Sequence, residues 1–446
     1  EESIMSEYEK KKVVEISGLR HYLESYDEFS DSLYENVYKQ AFSSVDSIIK
    51  EYYKINNGVI QKQLDNQLEV PNIITFIGPR GVGKTSAMLS FMLALKKYKG
   101  SSGGDSFYHF KDVNVRFTCL DCIDGSLMEH GEDIYKTILA QIYQKFTDVE
   151  VSDEIQKEAD FDFKKRELLS ELEELYRSVC DMDMAEKEQF MAGEAYINSL
   201  RGFSSSQQVR SDFTRLIKRF TDMMRYKRYK NSDHPDLHYV VIAIDDIDLN
   251  IQNSFSMLEK IHRYCTVPNM IILMSLDIHQ ILTIVSRHYY DVSPRVDKIL
   301  VEQEGYIRKL AVDYLEKIFP LNYRIYLPKL SQNPDIVLRK DNDDIKHAIL
   351  KKIYLKTGIC FDSQGLKKHF YLPSSFRELT AFYLLLESME EISIVNGKSE
   401  IKNESEVRKI YKNYNDLLFD LENRLSINKL ISKQQIDFFD NLLQQD

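Results

Sequence analysis

The segment Gly78-Pro79-Arg80-Gly81-Val82-Gly83-Lys84-Thr85 fits the pattern G-x-x-x-x-G-K-[ST], and its surroundings constrain the fold more than any other part of the chain. Before it stands Asn72-Ile-Ile-Thr-Phe-Ile77, a β-branched and aromatic run with strand character, and after it residues 85–98 are apolar and helical. Strand, glycine turn and helix in this order predict an α/β fold with a parallel sheet carrying helices on both faces. Glycines in the turn let the backbone curl. Successive N–H groups and the positive end of the following helix then face an anion such as a β-phosphate. On this reading Gly78, Pro79, Arg80, Gly81, Val82, Gly83, Lys84, Thr85 and Ser86 line the phosphates, Lys84 reaches the β- and γ-phosphates, and the Thr85 hydroxyl is a Mg²⁺ ligand.

The spacing of apolar residues sets out the rest of the chain. In residues 6–67, Leu19, Leu23, Phe29, Leu33, Val37 and Phe42 recur mostly three to five apart, which predicts an N-terminal helical region over 1–67. After the Gly100-Ser-Ser-Gly-Gly-Asp105 loop, residues 115–123 read as a second strand. Residues 133–146, with Ile134, Ile138 and Ile142 four apart, read as its helix. Charged helical sequence runs from 148 to 236, with Ser204-Ser-Ser-Gln-Gln208 as an internal linker, and strand character returns at 239–244 and 270–273. The stretch reads as a helical insertion in a core spanning 68–330. A last strand is expected at 323–327, ended by Pro328. Residues 331–446 read as helical, a lid and a C-terminal extension, notably at 376–389 and 406–421.

Val240-Val-Ile-Ala-Ile-Asp245-Asp246 is a buried-strand run ending in two carboxylates, as a Walker B element is. At the end of a parallel strand beside phosphates, Asp245 would hold Mg²⁺ and Asp246 would orient or deprotonate the attacking water. Asp248 reads either as a helix cap or as a support for the site through hydrogen bonds. Together the two motifs predict binding and hydrolysis of a nucleoside triphosphate.

Composition excludes other classes. The 446 residues leave room for two or three domains; at 43% hydrophobic the chain is too apolar for disorder, and 16 Gly and 9 Pro are too few for an all-β protein. A net charge of −11 disfavours nucleic-acid binding over the whole surface. One stretch is strongly basic: Arg215, Lys218, Arg219, Arg225, Lys227, Arg228 and Lys230, interleaved with Phe220, Tyr226 and Tyr229. It reads as a site for a phosphate backbone with aromatics stacking on bases or, with more weight given the acidic total, as a solvated helix face or a docking surface for an acidic neighbour. Five scattered cysteines fit reduced thiols in the cytoplasm, and Cys119-Leu-Asp-Cys122 lacks the second pair that a zinc site needs. No apolar run approaches the roughly 18 residues of a membrane helix, so no membrane partner is expected.

With both motifs in place, residues 70–390 resemble the additional-strand class of P-loop ATPases, AAA+ and STAND proteins, and within it the KAP-like group. Asn269-Met-Ile-Ile-Leu-Met-Ser-Leu-Asp277 resembles the strand bearing the sensor-1 residue, which implies that Ser275 or Asp277 touches the γ-phosphate or the water. Tyr314-Leu-Glu-Lys-Ile-Phe319, leading into Tyr323-Arg-Ile-Tyr-Leu-Pro328, is similar to the KAP-type segment before the last core strand. In AAA+ relatives a basic residue there acts in trans on a neighbour's nucleotide, which implies that role for Lys317 or, second, Arg308. Leu372-Pro-Ser-Ser-Phe-Arg377-Glu-Leu resembles the lid helix with the sensor-2 arginine, implying that Arg377 reaches the nucleotide. Asp246 stands where a Glu is usual, a departure that STAND and KAP relatives share. The core, the insertion and Cys122-Ile-Asp-Gly-Ser-Leu-Met-Glu129 are together similar to the ATPase subunits of RADAR, a bacterial anti-phage system. That resemblance implies ATP as the nucleotide, a homo-oligomeric ring, and an adenosine deaminase as partner. The deaminase chemistry is not expected here, because the sequence has no His/Cys cluster near a Glu. Two readings stay open beside it: an initiator-like AAA+ protein that loads on nucleic acid, and an ATP-bound scaffold with little hydrolysis.

Overall fold

The computed structural model describes residues 12–15, 23, 29, 32, 34–56, 71–98, 110, 113–129, 131–147, 161–188, 195–224, 236–292, 300–328, 336–340, 343–357, 375–389, 394–395, 398–399 and 412–413. In chain order its main elements are β1 (Lys12–Glu15), α1 (Glu35–Asn56), β2 (Ile73–Ile77), α2 (Lys84–Lys97), β3 (Asn114–Cys119), β4 (Ile123–Asp124), α3 (Ile134–Thr147), α4 (Phe161–Glu188), α5 (Ala195–Met224) and β5 (Asp236–Asp245). There follow α6 (Ser254–Lys260), continued by a π-turn over Ile261–Cys265, then β6 (Met270–Leu276), α7 (Ile278–Val292), α8 (Leu300–Ile318), β7 (Arg324–Tyr326), β8 (Ile336–Lys340), β9 (Asp343–Asp344), α9 (Ile345–Thr357), α10 (Phe376–Ser388), β10 (Ile394–Val395) and β11 (Lys398–Ser399). Among the described residues no helix is long and apolar enough to cross a membrane. The chain forms two compact units: residues 22–79 with 84–327, and residues 1–21 with 80–83 and 328–446.

The larger unit is built on a six-stranded sheet in the order β3-β5-β6-β2-β7, with β4 also pairing β5; every pairing is parallel. Its central strands are unbroken apolar runs, because helices cover a parallel sheet on both faces and leave no polar side to alternate with. All five residues of β2 and all seven of β6 are buried accordingly. The strands expected before the glycine loop, at 239–244 and at 270–273 are present, with β6 lying between β2 and β5. The expected insertion is the pair α4 and α5. Leu168, Leu172, Leu175 and Val179 on one helix, and Val209, Phe213, Leu216, Ile217 and Phe220 on the other, join the core. They pack against α3 and β5.

Several local expectations are corrected. The 204–208 serines sit inside α5 rather than in a linker. Serine costs a helix little, and the apolar repeat from Val209 onward carries the helix through. The strand expected at 115–123 is two strands, β3 and β4, separated at 120–122. The N-terminal region is not wholly helical. Lys12-Val-Val-Glu15 forms β1, which pairs in parallel with β8 more than three hundred residues along the chain, and β9 extends this sheet antiparallel. Nor is the C-terminal part all helix, since β8 to β11 lie there. Helical periodicity cannot register such pairings, because short β-branched segments gain their strand character from distant partners. Helix α1 belongs to the larger unit: Tyr323 Oη donates to Glu51 Oε2 at 3.4 Å, and Tyr52 packs edge-on to Tyr239. The 100–105 loop and, apart from residues 412 and 413, the helix expected at 406–421 lie outside the described residues.

Candidate functional site

Because the core strands are all parallel, their C-terminal ends form one edge, the place where open α/β sheets bind ligands. Register fixes what lies there. Ile77 pairs with Leu276, Ile244 with Met274, and Asp124 with Asp245, so the loop after β2, the carboxylates after β5 and Ser275 all reach this edge.

In the loop, Gly81 and Gly83 have φ of +84° and +91°, a region in which a Cβ would be strained. The Lys84 side chain is buried and folds back over the turn, its ammonium donating to the Gly78 carbonyl at 2.9 Å and the Pro79 carbonyl at 3.3 Å. Thr85 and Ser86 open α2 half-buried, while Pro79 and Arg80 are exposed and Val82 is buried. This is a cationic turn whose following helix presents its N-terminus, chemistry suited to an anion.

The carboxylates sit a strand away. Asp245 is buried and accepts a hydrogen bond from the Ser275 hydroxyl, itself fully buried. Asp246 takes the left-handed conformation, φ 48° and ψ 32°, which non-glycine residues seldom adopt and which accumulates at functional sites. Burial, then Asp245 and Asp248, hold the Asp246 carboxyl above the usual range, with Lys84 pulling it down and Asp124 adding to the rise. Asp248 is raised chiefly by burial, against the Asp277 N–H that it accepts at 3.0 Å and against Lys84. Lys84 therefore lies within electrostatic reach of both carboxylates. Asp248 Oδ1 is buried with no hydrogen-bond partner, an arrangement that costs free energy unless a ligand or water meets it.

The other expected residues are distributed as follows. Asp277 caps α7 by accepting the His279 N–H at 2.9 Å. Lys317 and Arg308 are both exposed on α8, Lys317 in its last turn. Arg377 is exposed on the first turn of α10, in the smaller unit; within that unit its N–H donates to the Gly81 carbonyl at 3.4 Å. Residues 372–374, before it, lie outside the described residues. Of the three cations of the basic stretch that lie among the described residues, two are engaged internally. Arg215 pairs with Asp212, and Arg219 with Glu167 and Glu171. Phe220, which every reading of the stretch would put at the surface, is instead 1% exposed and stacked on Phe146 in the core. Residues 225–230 lie outside the described residues.

Asp124 is a site residue that motif reading missed. The short β4 sets it directly beside Asp245, and its Oδ1 accepts from the Ser126 N–H at 2.9 Å and the Ser126 hydroxyl at 2.6 Å. The signal was present in Asp124-Gly-Ser126, an N-capping turn directly after a strand. Cys122 precedes it, its thiol pushed up to about 12 by burial and then by Asp245, Asp124 and Asp246.

The two residues that the sequence nominates for a divalent cation are Thr85, in the first turn of α2, and Asp245, which is buried. Among the described residues no group of three or more His, Cys, Asp or Glu could hold an ion by itself. Mg²⁺ is commonly held through one or two protein side chains, with phosphate oxygens and water as its other ligands. The unpartnered Asp248 oxygen is a further acceptor in the same cluster. Compared with known proteins, the chain matches no family model and no curated protein.

Proposed function

We propose that the chain is a Mg²⁺-dependent nucleoside triphosphatase of the additional-strand P-loop class, acting on ATP. The observation that carries this reading is the meeting at one sheet edge of a glycine turn holding a buried lysine with the acidic turn after β5, Lys84 lying within electrostatic reach of Asp246 and Asp248. The strand order supports the class, since β6 stands between the loop strand and the carboxylate strand. The Lys84 ammonium exchanges the Gly78 and Pro79 carbonyls for β- and γ-phosphate oxygens. Thr85 and Asp245 hold Mg²⁺, and Ser275 keeps the Asp245 carboxylate oriented. When bound, the ion neutralises charge on the phosphates. Asp246 takes the proton of the attacking water; its raised proton affinity suits a base. Following the resemblance, Arg377 and Lys317 or Arg308 complete the site from a lid and from a neighbouring subunit, in a ring that works with an adenosine deaminase. The internal ion pairs of Arg215 and Arg219 and the burial of Phe220 weigh against the nucleic-acid reading.

The test is ATP binding in the presence of Mg²⁺. Wild type binds, and Lys84→Ala weakens affinity at least about a hundredfold; retained affinity in that variant would sink the reading. Particle size with and without ATP then decides the ring, because a chain that stays monomeric with ATP removes any trans role for Lys317.

A further inference from the structure

The left-handed conformation of Asp246 is not imposed by its own sequence, as a glycine there would be, so its neighbours must hold it. The Ser254 hydroxyl holds the turn through the Ile247 carbonyl at 2.6 Å, the Asp277 N–H holds it through Asp248, and a third set of contacts comes from the segment 123–128. Beyond the pairing of Ile123 with Ile244 and Asp124 with Asp245, this segment is tied to the turn after Asp246 at two points. At Gly125 the backbones approach so closely that an added Cβ would stand 2.8 Å from Ile247 Cγ1, 2.9 Å from Ile247 Cα and 3.3 Å from the Asp245 carbonyl. At the far end of the turn, the Asn250 side-chain amide donates to the Gly125 carbonyl at 3.0 Å and to the Met128 carbonyl at 2.8 Å. Its Oδ1 meanwhile accepts from the Asn253 N–H at 3.3 Å. Within the turn itself only Leu249 N–H to the Asp246 carbonyl and Asn250 N–H to the Ile247 carbonyl close the chain, at 3.1 and 3.3 Å. Ile247 is therefore held from below by the close contact at Gly125, and the exit of the turn is fixed by a side chain bonded to the same segment.

We propose that Asn250 and Gly125 are positioning residues for Asp246, clamping the 123–128 segment to the 246–250 turn so that Asp246 keeps the backbone conformation from which its carboxylate faces the reacting phosphate. The clamp rests on the nucleotide reading above and adds to it the residues that aim the base. Neither residue is among those that the nucleotide reading assigns to phosphate or Mg²⁺, so loosening the clamp is expected to leave binding intact and misplace the base. Displacements of about an ångström at a reacting group cost up to about a hundredfold in rate.

Asn250→Asp separates these effects. It keeps the shape and the acceptor for the Asn253 N–H but removes both donors to Gly125 and Met128. We expect one ATP bound per chain with affinity within about twofold of wild type, and turnover lower by at least about tenfold. A merely structural role would lower the fraction of chains that bind, in step with the rate. Gly125→Ala, which must push Ile247 away, is expected to give the same split and carries the test if Asn250→Asp does not fold. If wild type hydrolyses ATP and both variants turn over at its rate, the clamp is wrong while the nucleotide reading stands. If wild type neither binds nor hydrolyses ATP, the reading falls and takes the clamp with it.

Discussion

Two turns leave the same edge of the core sheet, one after β2 and one after β5, and they are held by different means. In the 78–85 loop most of the parts that matter are neighbours in sequence: Gly81 and Gly83 supply the positive φ, and Lys84 bonds carbonyls only five and six residues back, with the Arg377 N–H on the Gly81 carbonyl as the distant contact. In the 245–250 turn, local hydrogen bonds from Leu249, Asn250 and Ser254 are joined by constraints from afar. Ser275 orients Asp245 from β6, Asp277 reaches Asp248, and Gly125 and Asn250 join segments 125 residues apart. A turn built locally keeps its shape wherever its strand and helix form. One built from distant parts has its shape only when β4, β5 and β6 are all in register, which makes it the more sensitive to substitutions outside itself.

The largest expected effect separates the two turns by function. Asp246→Asn keeps a side chain that tolerates the left-handed region but removes the base. ATP should bind as in wild type, while phosphate release falls about a hundredfold or more. Unchanged turnover would move the base elsewhere, with Asp248 next to be substituted.

Gly83→Ala is aimed at the local turn. An alanine at a φ of +91° costs about 1–2 kcal/mol, and it bends the loop that must face the phosphates. ATP affinity should drop about tenfold, with little change in the rate once nucleotide is bound. A fall in rate at full occupancy would show that the two turns are mechanically coupled and not independent.

Ser275→Ala is the remote counterpart. It leaves a buried Asp245 oxygen without its donor, and such a loss costs about 1–3 kcal/mol, read as a lower melting temperature. Because Asp245 then lacks its orienting partner, the Mg²⁺ requirement for turnover should shift to higher concentration, by a smaller factor than Asp246→Asn changes the rate. A variant with wild-type stability would mean that Asp245 has another partner in solution.

The same contrast explains what the sequence discloses. The glycine loop, the strand before it and the helix after it were legible because their physics is contiguous: a β-branched run, residues that permit positive φ, an apolar helix. Asp245 and Asp246 were legible through the apolar run they terminate. Asp124 is not legible as a neighbour of Asp245, since nothing local says that two residues of β4 will pair beside it. Asn250 reads as an ordinary loop residue until the Gly125 and Met128 carbonyls are brought to it. Phe220 was misjudged for the converse reason: interleaved cations suggest a solvated face, yet Phe146 from a preceding helix covers the ring. Strand β1 escaped because its partner lies beyond residue 330.

The smallest effect tests the electrostatics of the distant-built turn without disturbing it. Cys122 stands beside three carboxylates and half out of solvent, so its thiol is held up to about 12, first by burial and then by Asp245, Asp124 and Asp246. A raised thiol pKa means that the reactive thiolate is scarce below it. At pH 8 about one thiol in ten thousand is ionised, and alkylation should run about a thousandfold slower than for a free cysteine, rising tenfold per pH unit. Mass spectrometry of the peptide carrying Cys122 after timed iodoacetamide treatment measures this, and Cys122→Ser should leave turnover within about twofold. Because burial is the first cause of the raised pKa, labelling at the rate of a free thiol would mean that the segment carrying Cys122 opens to solvent, away from the acidic turn, much of the time. The contacts of Gly125 and Asn250 would then be too weak to aim Asp246, so the slow reaction of one thiol bears directly on whether a turn assembled from distant segments is as fixed in solution as the locally built loop beside it.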